Sequence, residues 1–122
     1  MPIIDMLNRT STLEELYLGM NRIQVSSDQL LNALANNSTL KVFDYSFNKL
    51  GDGKLTCANA ISNCFRKNKT LLHVDLSENG FNKEEATIIS EGLSTNKKIY
   101  GIHFKGNYGY IDTKGFLILK DR

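Results

Sequence analysis

Apolar residues recur in the same short pattern at four places along the chain. Each place reads LxxLxLxxN, with phenylalanine, tyrosine, valine or isoleucine also found at the apolar positions. The apolar–polar–apolar alternation at positions four to six is the period of a β-strand that buries one face. The pattern therefore predicts four short strands, near residues 15–18, 42–45, 73–76 and 101–104.

The stretches between these strands have the spacing of amphipathic helices. Apolar side chains recur three or four residues apart within Asp28–Asn36, Lys54–Lys67 and Glu84–Thr95. Parallel strands need a return connection of a dozen or more residues, which is usually a helix. The sequence therefore predicts an α/β protein in which parallel strands alternate with outer helices, preceded by the end of a helix near Ile3–Leu7.

The repeated motif resembles the leucine-rich repeat. The first three copies extend to LxxLxLxxNxL, and the copies begin 27 to 31 residues apart, at Leu13, Leu40, Leu71 and Ile99. This period and the segment Asn48–Gly53 are similar to the ribonuclease-inhibitor-like subfamily. The resemblance covers about residues 3 to 108. It implies a right-handed solenoid, a partial horseshoe with the sheet on its concave face and the helices on its convex face.

An asparagine ends each copy, where the backbone leaves the predicted strand. Its side-chain amide offers donors and an acceptor, which can satisfy backbone groups that no longer belong to the sheet. In the family such asparagines stack and link neighbouring coils. We therefore expect a structural role for Asn21, Asn48, Asn79 and Asn107.

The repeats predict one leucine-rich-repeat domain over residues 1–122. We expect the repeats to occupy about 13–39, 40–70, 71–98 and 99–122, with 1–12 as the end of a preceding incomplete repeat. The chain is thus expected to be a fragment or the C-terminal part of a longer solenoid. Tyr110–Arg122 departs from the pattern, and Gly115–Leu119 could fold back as a terminal cap. The first strand would have an open edge, which predicts self-association.

Composition limits the classes of partner and the cellular compartments that we expect for this protein. The chain has 122 residues, 41% of them hydrophobic, and a formal net charge of only +2. Charges of both signs are interspersed, so we expect neither a nucleic-acid nor a membrane partner. No apolar run is long enough to span a bilayer, and no signal peptide is recognisable. Cys57 and Cys64 are too far apart on one helix for a disulfide, so a cytoplasmic protein is expected.

No motif for catalysis or metal binding is present. His73 and His103 are the only histidines, and no zinc, nucleophile or phosphate-binding signature accompanies them. We therefore expect no enzyme activity, no cofactor and no bound metal.

The outward face of the sheet is the best candidate site. The fifth position of successive repeats carries Tyr17, Asp44, Asp75 and His103, which predicts a lateral column with an acidic centre. Such a column would attract a lysine or arginine of a partner protein. Aromatic residues beside charges are typical of protein interfaces. The predicted partner-binding residues are Tyr17, Asp44, Phe47, His73, Asp75, Tyr100 and His103.

The resemblance implies a non-catalytic module that binds a protein through its concave face. The alternative is a regulatory domain of a larger enzyme or GTPase-regulating protein whose catalytic part lies outside this chain. Ran GTPase-activating proteins share this repeat type and use a loop arginine, and Arg22 follows a repeat asparagine here. Tropomodulin-type actin-capping domains also end in such repeats, and Thr70–His73 is similar to them.

Overall fold

The computed structural model describes residues 2–21 and 27–120. Within them, four strands form one parallel sheet in chain order. Neighbouring strands are in register, so equivalent repeat positions lie side by side. The predicted parallel strands are confirmed, each one residue shorter than expected. The strands are β1 (Glu15–Tyr17), β2 (Val42–Asp44), β3 (His73–Asp75) and β4 (Gly101–His103).

Helices precede and connect these strands and pack side by side in a second layer. The third helix begins at Thr56 rather than at Lys54, because Gly53 and Leu55 have left-handed backbone, with φ of 78° and 66°. This α/β architecture confirms the predicted leucine-rich-repeat solenoid. The helices are α1 (Pro2–Arg9), α2 (Ser27–Asn36), α3 (Thr56–Lys67) and α4 (Lys83–Ser94).

The core lies between the sheet and the helices. In the second repeat the three apolar positions, Leu40, Phe43 and Tyr45, are all at most 1% exposed. The buried hydroxyl of Tyr45 is satisfied by Ser27 Oγ at 2.6 Å. In the first repeat the equivalent leucines are only half-buried, since among the described residues they have a neighbouring coil on one side alone.

The asparagines that end the second, third and fourth repeats form a ladder between coils, which confirms their structural role, whereas the described bond of the Asn21 side chain stays within its own coil, to the carbonyl of Gly19. Asn79 Oδ1 accepts a hydrogen bond from the backbone N–H of Asn48, one coil earlier, at 2.9 Å. Its Nδ2 donates to the carbonyls of Tyr45 and Leu76, both at 3.0 Å. Asn48 repeats this arrangement, and Asn107 does so with its Oδ1 accepting from the N–H of Phe81 instead. The ladder therefore ties each coil to the coil before it.

A second ladder lies in the turns from helix to strand. Asn68 Oδ1 accepts from the backbone N–H groups of Thr70 and Leu71, both at 2.8 Å. Its Nδ2 donates to the carbonyl of Leu34 in the preceding coil at 2.7 Å. The stack is thus fixed at both ends of the helices. The equivalent residues of the neighbouring coils are Asn37 and Asn96.

A hairpin follows the fourth strand. β5 (Tyr110–Ile111) and β6 (Leu117–Ile118) pair antiparallel around a turn in which Asp112 Oδ1 accepts from two backbone amides. Ile111, Leu117 and Leu119 pack against the core. Gly115–Leu119 therefore folds back as predicted and covers part of the core.

The open edge of β1 leads to a prediction about oligomeric state. Among the described strands β1 pairs only with β2. The amide of Leu18 donates to β2, so by alternation the N–H groups of Glu15 and Tyr17 point to the free edge. We expect concentration-dependent association in sedimentation experiments, because an unpaired edge invites strand pairing. Glu15→Pro, which removes one edge donor, should weaken it, whereas Glu15→Ala should not. A chain that is monomeric at every concentration would contradict this expectation.

Candidate functional site

The concave face consists of the side chains at the third and fifth repeat positions. These side chains are exposed or half-buried, whereas the fourth-position side chains between them turn into the core. The alternation leaves a sheet surface that the fold itself does not cover. Its members are Glu15, Tyr17, Val42, Asp44, His73, Asp75, Gly101 and His103.

An acidic column crosses this face. The register places Asp44 beside Asp75, with Tyr17 and His103 at the two ends. Oδ1 of Asp44 accepts from the amide and hydroxyl of Ser46, so one oxygen fixes the turn after the strand. Asp75 Oδ1 holds the equivalent turn. The structure thus places these four predicted residues side by side, with both aspartates fixed by their turns.

Lysine does not neutralise the column. In the described part of the chain the ion pair present joins Lys41 Nζ to Glu14 Oε1 at 3.0 Å, at the exposed second repeat position. Asp44 and Asp75 take part in no ion pair within residues 2–21 and 27–120. The centre of the concave face therefore presents negative charge outward.

The two histidines contact each other diagonally across β3 and β4. Their ring centroids lie 4.8 Å apart, with the planes tilted by 55°. His73 leans over Gly101, where an added Cβ would lie only 2.4 Å from its Nδ1. Sequence reasoning missed this contact. Gly101, at the third position of the fourth repeat, is the signal that could have revealed it.

Tyr17 is held in place at the first strand. Its hydroxyl donates to Glu15 Oε1 at 2.7 Å, while 61% of the residue stays exposed. This hydrogen bond is the main reason why the pKa of Tyr17 is raised above its usual value. Desolvation and the negative charges of Glu15 and Asp44 contribute smaller increases. The phenol therefore stays protonated and presents its ring to the surface.

The eighth repeat position forms a rim beside the sheet, and the backbone there is left-handed in all four described coils. The φ angles are 63° at Met20, 56° at Phe47, 57° at Glu78 and 83° at Gly106. Met20 is 75% exposed and Phe47 47%. With Lys49 and Glu78 these two side chains line a groove of 240 Å³. The rim thus holds bulky apolar residues in a conformation that favours glycine, although the core does not require them.

This strain leads to a prediction for Met20→Gly. The substitution removes a left-handed conformation that costs an L-residue about 1 kcal/mol, and it loses little packing because the side chain is exposed. We expect the free energy of unfolding in urea to stay constant or rise. A clear loss of stability would show that Met20 has a structural role instead.

Tyr100 lies apart from the column, in the terminal cleft. This cleft of 230 Å³ is bounded by α4, the turn into β4 and the β5–β6 hairpin. Tyr100 is 77% exposed, and Phe116 from the hairpin, which sequence reasoning missed, is 64% exposed. The predicted site residues are therefore divided between the concave face, the rim, which holds Phe47, and this cleft.

Comparison with known proteins agrees with this geometry. A family model described as leucine-rich repeat matches residues 67–84, which include β3 and the Asn79 turn. The chain has the leucine-rich-repeat fold. No curated protein sequence matches it.

Two solved structures resemble this leucine-rich-repeat protein. One is leiomodin-1 actin-binding site 2, with a TM-score of 0.73 and 17% identity, covering 87% of this chain and 61% of that one. The other is the C-terminal domain of tropomodulin from Caenorhabditis elegans, with a TM-score of 0.75 and 16% identity, covering 87% and 64%. At these identities the likeness shows the fold. The chain spans less than two thirds of either structure.

Metal-binding residue types and the two thiols are the remaining candidates for chemistry in the described part of this leucine-rich-repeat protein. It contains no cluster of three or more histidine, cysteine or carboxylate residues that could hold a metal ion. Burial raises the pKa of Cys57 to about 11 and that of Cys64 to about 12, so both thiols stay protonated. Arg22, the loop arginine considered above, lies outside the described residues. No helix in the described ranges has the length and hydrophobicity to cross a membrane.

Proposed function

We propose that this leucine-rich-repeat protein is a non-catalytic module that binds a partner protein through its concave face. One observation carries the proposal: the column of Asp44 and Asp75 is fixed by its turns, unneutralised by lysine among the described residues, and flanked by exposed aromatic side chains. Each carboxylate holds the turn after its strand. An asparagine could accept the same hydrogen bonds without placing two like charges on adjacent strands, which destabilises a sheet.

The column favours a partner that presents lysine or arginine. A basic side chain placed over Asp44 and Asp75 would relieve their repulsion and would be steered there by charge. Tyr17 at the end of the column and Phe47 on the rim are 61% and 47% exposed, so they can supply apolar contact area. His73 and His103 close the other end of the face. Two free cysteines fit an intracellular site of action.

Actin is the first partner to test. The leiomodin-1 structure that shares this fold is an actin-binding site. Binding of fluorescently labelled monomeric actin and cosedimentation with filaments would measure the affinity directly. If neither form of actin binds, actin is not the partner. The concave face is then tested with a partner protein captured by the intact chain.

The concave face is tested by removing its charge without changing its hydrogen bonds. The double variant Asp44→Asn and Asp75→Asn keeps both side-chain acceptors for the turns, so the fold should be retained. We expect the affinity for the partner to fall at least about tenfold, equivalent to about 1.4 kcal/mol. The matched control is Asp52→Asn with Glu91→Gln, which changes the net charge equally at exposed sites away from the sheet. Equal losses in both double variants would refute the proposed site.

A further inference from the structure

The surface of α4 that lines the terminal cleft has an equivalent on α3, one repeat earlier. That equivalent shows what covers such a surface. Asn68 and Asn96 occupy the same place in successive coils, so α3 and α4 can be compared residue by residue. On α3 the equivalent surface is covered by α4. A Cβ added to Gly92 would lie 2.4 Å from Ser62 Oγ, which shows how closely the two helices approach.

The contact between α3 and α4 also has a polar part. Asn96 Nδ2 donates to the carbonyls of Phe65 and Asn68, at 3.0 and 3.1 Å. The covering coil therefore supplies a helix with a small residue at the point of contact and a side-chain amide just after its end.

On α4 the equivalent residues are only partly covered by the part of the chain that the structure describes. Ser90, Leu93 and Asn96 line the terminal cleft. All three are half-buried, whereas their counterparts Ser62, Phe65 and Asn68 are at most 6% exposed. The hairpin occupies one side of this space and leaves the cleft open between itself and α4.

The rest of the cleft defines the chemistry of what fits. Leu93 and Ile99 give it apolar walls, and the aromatic rings of Tyr100 and Phe116 extend into solvent beside them. Lys97 is the charged residue among those that line it, and its exposed ammonium donates to the carbonyl of Ser94 at 3.3 Å. An occupant with an apolar face and a carboxylate opposite Lys97 is complementary to this surface.

We infer that the terminal cleft is a second docking site, separate from the concave face, for an acidic amphipathic helix of a partner protein. The partner's helix would lie along α4 with a small residue against Ser90. A side-chain amide at its C-terminal end would donate to the carbonyls of Leu93 and Asn96, as Asn96 does one coil earlier.

A peptide from the chain itself provides the probe. A labelled synthetic peptide of residues 82–96 keeps the helix start, Gly92, Asn96 and three glutamates of the helix that covers α3. Titrated into the full chain and followed by NMR, it should bind saturably and shift the signals of Ser90, Lys97 and Phe116. The peptide with Gly92→Leu, which cannot approach closely, should bind about tenfold more weakly.

Variants of the protein separate this site from others. Ser90→Trp fills the cleft and should weaken peptide binding about tenfold, whereas Glu91→Trp, with the same bulk one residue away, should leave it unchanged. If Ser90→Trp fails to fold, the double variant Tyr100→Ala and Phe116→Ala serves the same purpose. Three results would each overturn the inference. The peptide does not bind saturably, it still binds when the cleft is filled, or a second copy of the chain occupies the cleft in its place.

Discussion

Asn79→Ala is expected to lower the free energy of unfolding by about 3 kcal/mol, the upper end of the cost of leaving buried polar groups unpaired. Asn79 is 2% exposed and joins two coils through both ends of its amide. Alanine would leave the buried N–H of Asn48 without its side-chain acceptor and would remove one of two side-chain donors to the carbonyl of Tyr45. Urea denaturation of both proteins measures the difference.

Asn82→Ala is the matched control for this result. Asn82 is exposed and caps α4, where its Oδ1 accepts from the N–H of Glu85 and its own N–H donates to the Glu85 side chain. Loss of such a cap costs about 1 kcal/mol. Equal losses for the two variants would refute the role of Asn79 as a link between coils.

Gly92→Ala should also destabilise the protein, by about 2 kcal/mol in the same denaturation experiment. Alanine gains about 1 kcal/mol of helix propensity over glycine, which alone would predict stabilisation. However, the new Cβ would lie 2.6 Å from both the Cα and the carbonyl oxygen of Ser62. Backbone atoms cannot rotate away, so α3 and α4 must separate, and overpacking of this kind typically costs 1–3 kcal/mol.

Glu91→Ala is the control for Gly92→Ala, because it changes an exposed position one residue away on the same helix. It should alter stability by less than about 0.5 kcal/mol. A Gly92→Ala variant as stable as this control would show that the helices are packed less closely than the structure indicates.

The repeat made the sheet predictable. Four asparagines at fixed distances from an alternating apolar pattern set the strands, their order and their register, and therefore the column of Tyr17, Asp44, Asp75 and His103. Each strand ended one residue early, although the next amide still bonds to the neighbouring strand, as Leu18 N does to the Asp44 carbonyl. The assignment to the ribonuclease-inhibitor-like subfamily stays a prediction.

Features that depend on pairs of coils were harder to predict. The second ladder through Asn68 and the diagonal contact of His73 with His103 each need two residues that are distant in sequence. The start of α3 was wrong by two residues, because apolar spacing carries no information about the left-handed backbone at Leu55. The terminal cleft was missed because it arises only where the hairpin replaces the next helix.

Hydrogen–deuterium exchange of the chain with and without bound partner, beginning with actin, tests the concave-face proposal most directly. If the concave face binds the partner, protection should appear in the peptides that contain β1 to β4 and the turns after them, around Met20 and Phe47. The backbone amides of α2 and α3 should exchange at unchanged rates. Protection confined to those helices, with the four strands unaffected, would contradict the proposed function.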